Sequence, residues 1–362
     1  MRATWIETAS RHRVAGLLRR STAPILLALV SLQMAQISSG ADAVPIVIAH
    51  RGASGYLPEH TLPAKALAYG MGADFIEQDV VLTRDNVPVV LHDVHLDTVT
   101  DVATVFPDRK RKDGRYYALD FDLREIKQLS VHERVNEKTG AVVYPRRFPL
   151  GPAISLQVPT LAEEIQLIQG MNRSTGKRVG IYPEIKQPKF HREAGHDIST
   201  IVLKVLGDHG YRQRRGDCFV QCFDEAETKR LREELGCELP LIQLLGRSNW
   251  SSSVGHLNAE EVSRKLKQVA GYADGIGPPT DQLIARVQNR RVVPGPLAVT
   301  AKQLGLQIHP YTLRTDDLPS YAATMAELVE ICLDDLRVDG LFTDFPDVAI
   351  HARDARQRKQ GK

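Results

Sequence analysis

The stretch DFIEQDVVLTRDNVPVVLHD, residues 74–93, contains two β-rich runs that are separated only by the four turn-type residues TRDN. A parallel crossover needs about a dozen residues or more, so the two runs are predicted to form an antiparallel hairpin. Pairing Thr83 with Pro88 predicts that Asp79 lies opposite His92 on the same face.

Eight β-rich runs remain when the returning arm of this hairpin, PVVLHD (88–93), is set aside. They are IVIAH (46–50), DFIEQDVVLT (74–83), VGIYPEIK (179–186), CFVQCF (218–223), LIQLLG (241–246), GIG (275–277), LQIHPYTL (306–313) and GLFTDF (340–345). Amphipathic, helix-like stretches lie between most of them, which is typical of parallel βα units. The sequence therefore predicts an α/β fold, a (β/α)8 TIM barrel, in which functional groups gather at the carboxyl ends of the strands.

Residues 97–158 depart from this alternation, since they are charged and rich in turn residues. They contain one short helix-like piece, LREIKQLS, and are predicted to be an insertion over one end of the barrel, after the second-strand hairpin. A solvated loop without a function is the alternative. The barrel is expected to span residues 44–350, and residues 351–362 are expected to be a frayed basic tail.

The first 43 residues resemble an export signal. Five arginines precede the apolar run APILLALVSLQMA, and an A-x-A pattern ends at Ala43. This arrangement predicts a cleaved signal peptide and a periplasmic or secreted protein, because the apolar run is short for a membrane span. An uncleaved N-terminal anchor is the alternative.

The composition is that of a soluble globular protein, with 43% hydrophobic and 25% charged residues. A net charge of +3 gives no case for nucleic-acid binding, and no stable membrane insertion is expected of the mature chain. Buried free thiols are favoured for the four cysteines, although a bond from Cys218 or Cys222 to Cys237 remains open. The oligomeric state is left open.

Carboxylates cluster at two of the strand ends. Glu77 and Asp79 are two residues apart and share one face of their strand. Because adjacent carboxylates repel each other, a divalent cation is expected beside them, and an all-oxygen site favours calcium or magnesium. In YPEIK, Glu184 is a candidate third ligand, and Lys186 either contacts phosphate or lowers the pKa of Glu184. An ordinary salt-bridged strand end is the alternative for each pair taken alone.

Two histidines and an arginine complete the set of candidate functional residues. His50 and His92 can flank a phosphodiester, and an imidazole titrates near neutral pH, as acid–base catalysis requires. Arg51 offers a planar fork to phosphate oxygens. Together with the cation these are the groups needed to cleave a phosphodiester.

HRGASGYLPEHTLPA (50–64), GADFIEQDV (72–80), LTRDNVPVVLHD (82–93), YPEIK (182–186) and DGLFTDFP (339–346) resemble the glycerophosphodiester phosphodiesterase family, in particular its periplasmic bacterial branch. The resemblance implies a barrel of the phosphatidylinositol-phospholipase C type. It also implies hydrolysis of deacylated phospholipids to sn-glycerol 3-phosphate and an alcohol.

The resemblance further implies residue roles. The metal ligands would be Glu77, Asp79 and Glu184, binding one divalent cation, with Ca²⁺ favoured over Mg²⁺. The catalytic residues would be His50, His92 and Arg51, and the substrate-binding residues Arg51, Lys186, Gln221, Phe223 and Tyr311. Glu59 is expected to orient Arg51 or its loop. Many relatives have asparagine where this chain has His60, which is assigned to the start of the next helix without a role in the chemistry.

Two alternative functions remain at this point. Related barrels act on intact phospholipids, but they need an exposed apolar rim, whereas the insertion is strongly charged. An exported binding protein or adhesin on the same barrel would be expected to lack one of the four residues His50, Glu77, Asp79 or His92, and all are present.

Overall fold

The parallel strands form at the positions that the sequence predicts. The computed structural model describes residues 44–149, 151, 154–252, 255–256, 258–288 and 291–361, so the predicted signal peptide lies outside the described residues. The strands are β1 (Ile46–Ala49), β2 (Phe75–Leu82), β3 (Pro88–Val90), β4 (Gly180–Ile185), β5 (Val220–Cys222), β6 (Leu241–Leu244), β7 (Ser251–Ser252), β8 (Gly255–His256), β9 (Gly275–Gly277), β10 (Ile284–Gln288), β11 (Arg291–Pro294), β12 (Gln307–Ile308) and β13 (Gly340–Thr343).

Eight of these strands run parallel in the order β12-β9-β6-β5-β4-β2-β1-β13. The segments that contain the two terminal strands are joined by backbone bonds, from the amide of Asp339 to the carbonyl of Ile308 at 3.0 Å and from Leu313 to Phe342 at 2.8 Å. These bonds bring the ends of the sheet together. The predicted (β/α)8 barrel is confirmed.

The helices lie mainly between the barrel strands. They are α1 (Leu62–Met71), α2 (Val102–Val105), α3 (Leu123–Ile126), α4 (Leu161–Thr175), α5 (Pro188–Glu193), α6 (Ile198–Asp208), α7 (Glu225–Glu233), α8 (Arg247–Trp250), α9 (Ala259–Val269), α10 (Pro296–Gln303), α11 (Met325–Glu330) and α12 (Pro346–Gln360). Short polar side chains begin several of them: Thr61 accepts from the amide of Ala64, and Thr160 forms a capping box with Glu163.

The hairpin is present, but the predicted register was wrong by one residue. Leu82 pairs with Pro88, and the amide of Leu91, not His92, donates to the carbonyl of Asp79. The reason is the loop: Asn86 has φ of 62°, a left-handed conformation that closes the turn one residue earlier than assumed.

Side chains fill the barrel in layers, because alternate residues of a strand point to the same side. A buried, largely aromatic layer contains Phe75, Tyr182, Phe219 and Phe342, with the rings of Tyr182 and Phe219 stacked 4.9 Å apart. Two residues further along the same strands, the inward positions become polar. The next layer comprises His50, Glu77, Glu184, Gln221 and Asp344. The polar site therefore lies on top of a packed floor, at the carboxyl ends of the strands.

The insertion, residues 97–158, packs around an apolar cluster of its own. Val99, Val102, Phe121 and Ile126 are buried there, and Val81 of the hairpin joins them. The predicted helical piece is present as α3. Two arginines of the insertion, Arg134 and Arg147, reach the polar end of the barrel, so this segment is more than a solvated loop.

The predicted frayed tail was wrong for residues 351–360, which continue α12. Ala349 and Ala352 are buried, and Arg353 forms an ion pair with Asp74. All four cysteines are buried free thiols, as favoured from the sequence. Within the described ranges, no helix is both long enough and apolar enough to cross a bilayer.

Candidate active site

Three carboxylates meet at the carboxyl ends of β2 and β4. Ligand oxygens of Glu77, Asp79 and Glu184 all lie within 4.8 Å of one another, and all three side chains are buried. The parallel register sets Asp79 directly beside Glu184. The sequence therefore correctly predicted that these carboxylates come together.

A buried histidine controls the orientation of Asp79. The ammonium of Lys65 can only donate, so Nδ1 of His60, 3.1 Å away, must accept, and the proton lies on Nε2. Nε2 donates to Oδ2 of Asp79 at 2.8 Å. The other oxygen, Oδ1, is buried without a hydrogen-bond partner. An orphaned carboxylate oxygen among three acidic side chains fits a hard divalent cation.

The electrostatics of the carboxylates fit a cation as well. Burial raises the pKa of Glu184 well above its ordinary value, and Lys186, 2.8 Å away, does not offset it. Burial also raises the pKa of Glu77. The pKa of Asp79 is held well below its ordinary value, because Lys186 and the bond from His60 outweigh burial. Lys186 thus acts on Glu184 in the predicted direction, but burial decides the net shift.

His50 follows β1 and is held by an aspartate. Its Nδ1 lies 2.6 Å from Oδ1 of Asp344, which follows β13. Burial opposes ionisation of Asp344, but His50 and Arg147 hold its pKa well below the ordinary value. An ionised aspartate can only accept, so Nδ1 of His50 donates, and Nε2 is left 3.8 Å from Oε2 of Glu77.

His92 has the same kind of partner. Its Nδ1 lies 2.7 Å from Oδ1 of Asp93, whose other oxygen accepts from Arg134 at 2.6 Å. Desolvation, followed by the positive charges of Arg51 and Lys186, lowers the pKa of His92, although 32% of its side chain is exposed. His92 is therefore neutral at neutral pH.

Arg51 is fixed from two sides. Its backbone amide donates to Oε2 of Glu77 at 2.8 Å, and its Nη1 donates to Oε2 of Glu59 at 2.9 Å. The predicted role of Glu59 in orienting Arg51 agrees with this geometry. Arg51 has φ of 60° and is followed by Gly52 at φ 87°, where a Cβ would lie 2.9 Å from the backbone of Ala64. The close approach of the two chain segments requires this glycine.

The predicted substrate-binding residues divide into two groups. A cavity of about 160 Å³ is lined in part by Glu184, Lys186 and Phe223. The ring of Tyr311 lies edge-on to Phe223 with centroids 5.9 Å apart, and its hydroxyl donates to the carbonyl of Leu245. Gln221 instead donates from Nε2 to Oε1 of Glu77 at 2.9 Å, so it positions a carboxylate.

This geometry can be compared with known proteins. Residues 50–348 match the model of the glycerophosphoryl diester phosphodiesterase family, which is most of the chain. The chain belongs to this family. A glycerophosphodiester phosphodiesterase of Haemophilus influenzae is 42% identical over 323 residues, covering 84% of this chain and 88% of the relative. One from Treponema pallidum is 35% identical over 340 residues, covering 87% and 94%.

Solved phosphodiesterase structures share the fold. A putative glycerophosphoryl diester phosphodiesterase from Silicibacter pomeroyi has a TM-score of 0.63 at 23% identity, covering 87% of this chain and 94% of that chain. An Oleispira antarctica phosphodiesterase, in complex with the product sn-glycerol-3-phosphate, has a TM-score of 0.57 at 20% identity, covering 86% and 97%.

The sequence missed the residues that hold the predicted ones. His60 was excluded from the chemistry, yet it contacts the candidate metal ligand Asp79. Asp93 and Asp344 stand in the motifs LHD and TDFP and contact His92 and His50, so a search for acidic residues at strand ends could have found them. Arg134 lies in the middle of the insertion, where no local pattern marks it.

Proposed function

We propose that this member of the phosphodiesterase family hydrolyses glycerophosphodiesters to sn-glycerol 3-phosphate and an alcohol. The observation that carries the proposal is the buried triad Glu77, Asp79 and Glu184, in which one oxygen of Asp79 has no hydrogen-bond partner, together with two histidines that are each held by an aspartate. Glycerophosphodiesters are also the substrates that the names of the Haemophilus and Treponema relatives give.

Glu77, Asp79 and Glu184 would hold one divalent cation, with Gln221 and His60 orienting two of the carboxylates. The cation, when bound, would offset negative charge on the phosphate and polarise the glycerol hydroxyls. Ca²⁺ is favoured, because Mg²⁺ in proteins usually has only one or two carboxylate ligands and keeps several waters.

The protein's own groups would handle the protons and the phosphate. Nδ1 of each catalytic histidine is tied to an aspartate, so Nε2 is the reacting nitrogen of both. One histidine of the pair His50 and His92 accepts a proton from the attacking oxygen, which belongs to water or to the glycerol 2-hydroxyl, and the other protonates the leaving alcohol. Attack by the 2-hydroxyl gives a cyclic phosphate, which a water then opens to sn-glycerol 3-phosphate. Arg51 and Lys186 would bind the phosphate oxygens, since both carry fixed positive charge at the site.

The mouth of the site favours a deacylated substrate. The cavity is bordered by charged side chains, among them Lys186, Lys189 and Asp224, and Phe223 is the large apolar side chain exposed beside it. One aromatic ring suits a compact alcohol such as choline, whereas an intact phospholipid has two acyl chains to cover. Phe223 and Tyr311 are therefore proposed to contact the leaving alcohol.

Export is part of the proposal and rests on the sequence alone. The basic segment, the short apolar run and the A-x-A pattern of residues 1–43 support a cleaved signal peptide and a periplasmic or secreted enzyme. Expression of the full chain in a bacterial host, followed by N-terminal sequencing of the protein in the periplasmic fraction, tests this. A mature protein that begins near Val44 is expected, and a full-length chain held in the membrane fraction would contradict it.

The substrate proposal is tested by assaying sn-glycero-3-phosphocholine and intact phosphatidylcholine side by side. Released sn-glycerol 3-phosphate can be measured with a coupled dehydrogenase, and phosphatidic acid or diacylglycerol by mass spectrometry. Turnover of the deacylated substrate alone is expected. Preferential turnover of the intact lipid would favour a phospholipase, and binding without turnover of either would favour a binding protein.

A further inference from the structure

Arg147 of the insertion contacts the aspartate that holds His50. Its Nη2 donates to Oδ2 of Asp344 at 2.6 Å, while Oδ1 of the same carboxylate accepts from His50. The guanidinium is almost fully buried, and it also donates to the carbonyl of Ser54 and to Asp316. It is therefore anchored to the end of the barrel and does not lie free on the surface.

Arg134 of the insertion makes the corresponding contact on the side of His92. Its Nη1 donates to Oδ2 of Asp93 at 2.6 Å, while Oδ1 of Asp93 accepts from His92. Its Nη2 and Nε also donate to the two oxygens of Glu59, at 2.6 and 3.1 Å, and Glu59 accepts from Arg51. One guanidinium thus joins the partner of a histidine to the partner of Arg51.

We propose that Arg134 and Arg147 are positioning residues, through which the insertion orients both histidines by way of Asp93 and Asp344. The inference rests on the proposed function, in which the two histidines move the protons. The repeated arginine–aspartate–histidine arrangement carries it: in both cases the arginine occupies one carboxylate oxygen and the histidine the other. Barrel strand β1 and the hairpin arm β3 lead into the histidines, but a separate segment, the insertion, supplies the guanidinium groups that fix them.

The physical effect of each arginine is twofold. A guanidinium on one carboxylate oxygen fixes the rotation of the aspartate, so that the second oxygen faces the imidazole. It also keeps the carboxylate ionised, and an ionised carboxylate requires Nδ1 of the histidine to carry its proton. Nε2 is then the nitrogen that faces the site in both histidines. Without the arginine, the aspartate can rotate and the histidine can change its tautomer.

Asp344 has a second positively charged side chain nearby, which makes the two arginine–aspartate–histidine arms unequal. Nε of Arg314 lies 3.7 Å from Oδ2 of Asp344, further than the 2.6 Å of Arg147. Asp93 is in hydrogen-bond contact with the guanidinium of Arg134. Loss of Arg134 is therefore expected to affect turnover more than loss of Arg147.

The test replaces each arginine by methionine in the full-length, metal-loaded enzyme and measures kcat and KM for sn-glycero-3-phosphocholine. We expect kcat to fall about ten- to a hundredfold in both methionine variants, because the histidines are misoriented. KM should stay within about threefold for Arg147→Met, because the phosphate-binding side chains keep their partners, and should rise further for Arg134→Met, because Arg134 also holds Glu59, the partner of Arg51. Arg134→Lys and Arg147→Lys are expected to recover part of kcat. These lysine variants also serve if a methionine variant does not fold.

Double variants separate positioning from a loss of packing. If Arg147 acts through Asp344, Arg147→Met combined with Asp344→Asn should lower kcat no further than Asp344→Asn alone. Arg147→Met combined with Asp93→Asn should be additive, because these two residues belong to different arms. Additive losses within the same arm would overturn the proposal.

Arg115→Met is the matched control within the insertion. Arg115 donates to Asp97 at 2.7 Å, in an arginine–aspartate pair that does not contact either histidine. The melting temperature should fall in all three methionine variants, with kcat preserved only in Arg115→Met. An equal loss of kcat in the control would mean that any weakening of the insertion slows the enzyme, and would overturn the assignment.

The outcome for the histidines separates this inference from the proposed function. If His50→Ala and His92→Ala abolish turnover but the Arg134 and Arg147 variants keep kcat within twofold, the inference fails and the proposed function stands. If the histidine variants themselves remain active, the proposed function fails, and the positioning role fails with it.

Discussion

Nε2 of His60 donates to Oδ2 of Asp79 over 2.8 Å, and Nδ1 of the same ring accepts from Lys65. These buried contacts fix the carboxylate of Asp79 and leave its second oxygen without a hydrogen-bond partner, 3.7 Å from the ammonium of Lys186. Replacing a residue that orients a metal ligand in this way typically costs about ten- to a hundredfold in metal affinity or activity.

Replacement of His60 by leucine is therefore expected to weaken divalent-cation binding about ten- to a hundredfold. The dissociation constant for Ca²⁺ can be measured by isothermal titration calorimetry, and kcat should recover at high metal concentration. His196→Leu is the control, because the ring of that half-buried histidine bonds to Asn86 and not to a candidate metal ligand. Equal affinities in the His60 variant and the wild type would contradict the role.

His50→Ala and His92→Ala are each expected to lower kcat about a hundred- to ten-thousandfold, the usual range for loss of a general acid or base. Substrate affinity, measured by equilibrium binding, should change little, because Arg51 and Lys186 remain. His209→Ala is a suitable control, since its ring bonds to a backbone carbonyl at the end of α6. Near-normal turnover in either catalytic variant would show the assignment to be wrong.

Phe223→Ala is expected to raise KM for sn-glycero-3-phosphocholine about three- to tenfold, because the ring would contact the quaternary ammonium of choline. The side chain is 39% exposed, so the melting temperature should change little. Phe223→Leu keeps apolar contact but removes the aromatic face. It should therefore raise KM by a similar factor for the choline substrate and leave KM for other glycerophosphodiesters unchanged. Val299→Ala, at an exposed apolar position on α10, is the control. An unchanged KM would exclude Phe223 from the substrate pocket.

His309 is predicted to make folding stability dependent on pH. It is buried beneath the site with its Nδ1 2.8 Å from the hydroxyl of Tyr182, and burial lowers its pKa to about 4. The unfolded chain binds the proton more tightly, with an ordinary pKa of about 6.5. Stability from the neutral ring is therefore complete above pH 6.5 and is lost as the pH falls through about 4, by roughly 3 kcal/mol at most.

His309→Gln, which retains a hydrogen-bonding group but does not titrate, should show a smaller loss of stability between pH 6.5 and 4 than the wild type. Urea unfolding at a series of pH values measures this difference, and His60 and His92 contribute equally to both proteins. Parallel pH profiles for the two proteins would contradict the prediction.

The sequence predicted the barrel well, because period-2 alternation and turn residues are local features. The register of the hairpin was harder, since it depends on one left-handed residue, Asn86, whose conformation no pattern requires. The helix that replaces the expected tail was hidden for a related reason. Its apolar face consists of small residues such as Ala349 and Ala352, and its charges find partners elsewhere in the fold.

The sequence predicted the three carboxylates of the site but not the arginines that hold the partners of the histidines. Glu77, Asp79 and Glu184 stand at the ends of strands, where spacing alone places them on one face. The contact of Arg134 with Asp93 spans 41 residues, and that of Arg147 with Asp344 spans 197. Contacts of this kind depend on how the insertion packs against the barrel, which a single sequence does not specify.

The central claim is that a divalent cation at Glu77, Asp79 and Glu184 is required for glycerophosphodiester hydrolysis. The most direct measurement is turnover of sn-glycero-3-phosphocholine by the purified enzyme after complete chelation, and again after Ca²⁺ or Mg²⁺ is added back, with Glu184→Gln assayed in parallel. Chelation should abolish activity, Ca²⁺ should restore it more fully than Mg²⁺, and Glu184→Gln should respond to neither at the concentrations that restore the wild type. Full activity in the chelated enzyme would contradict the account.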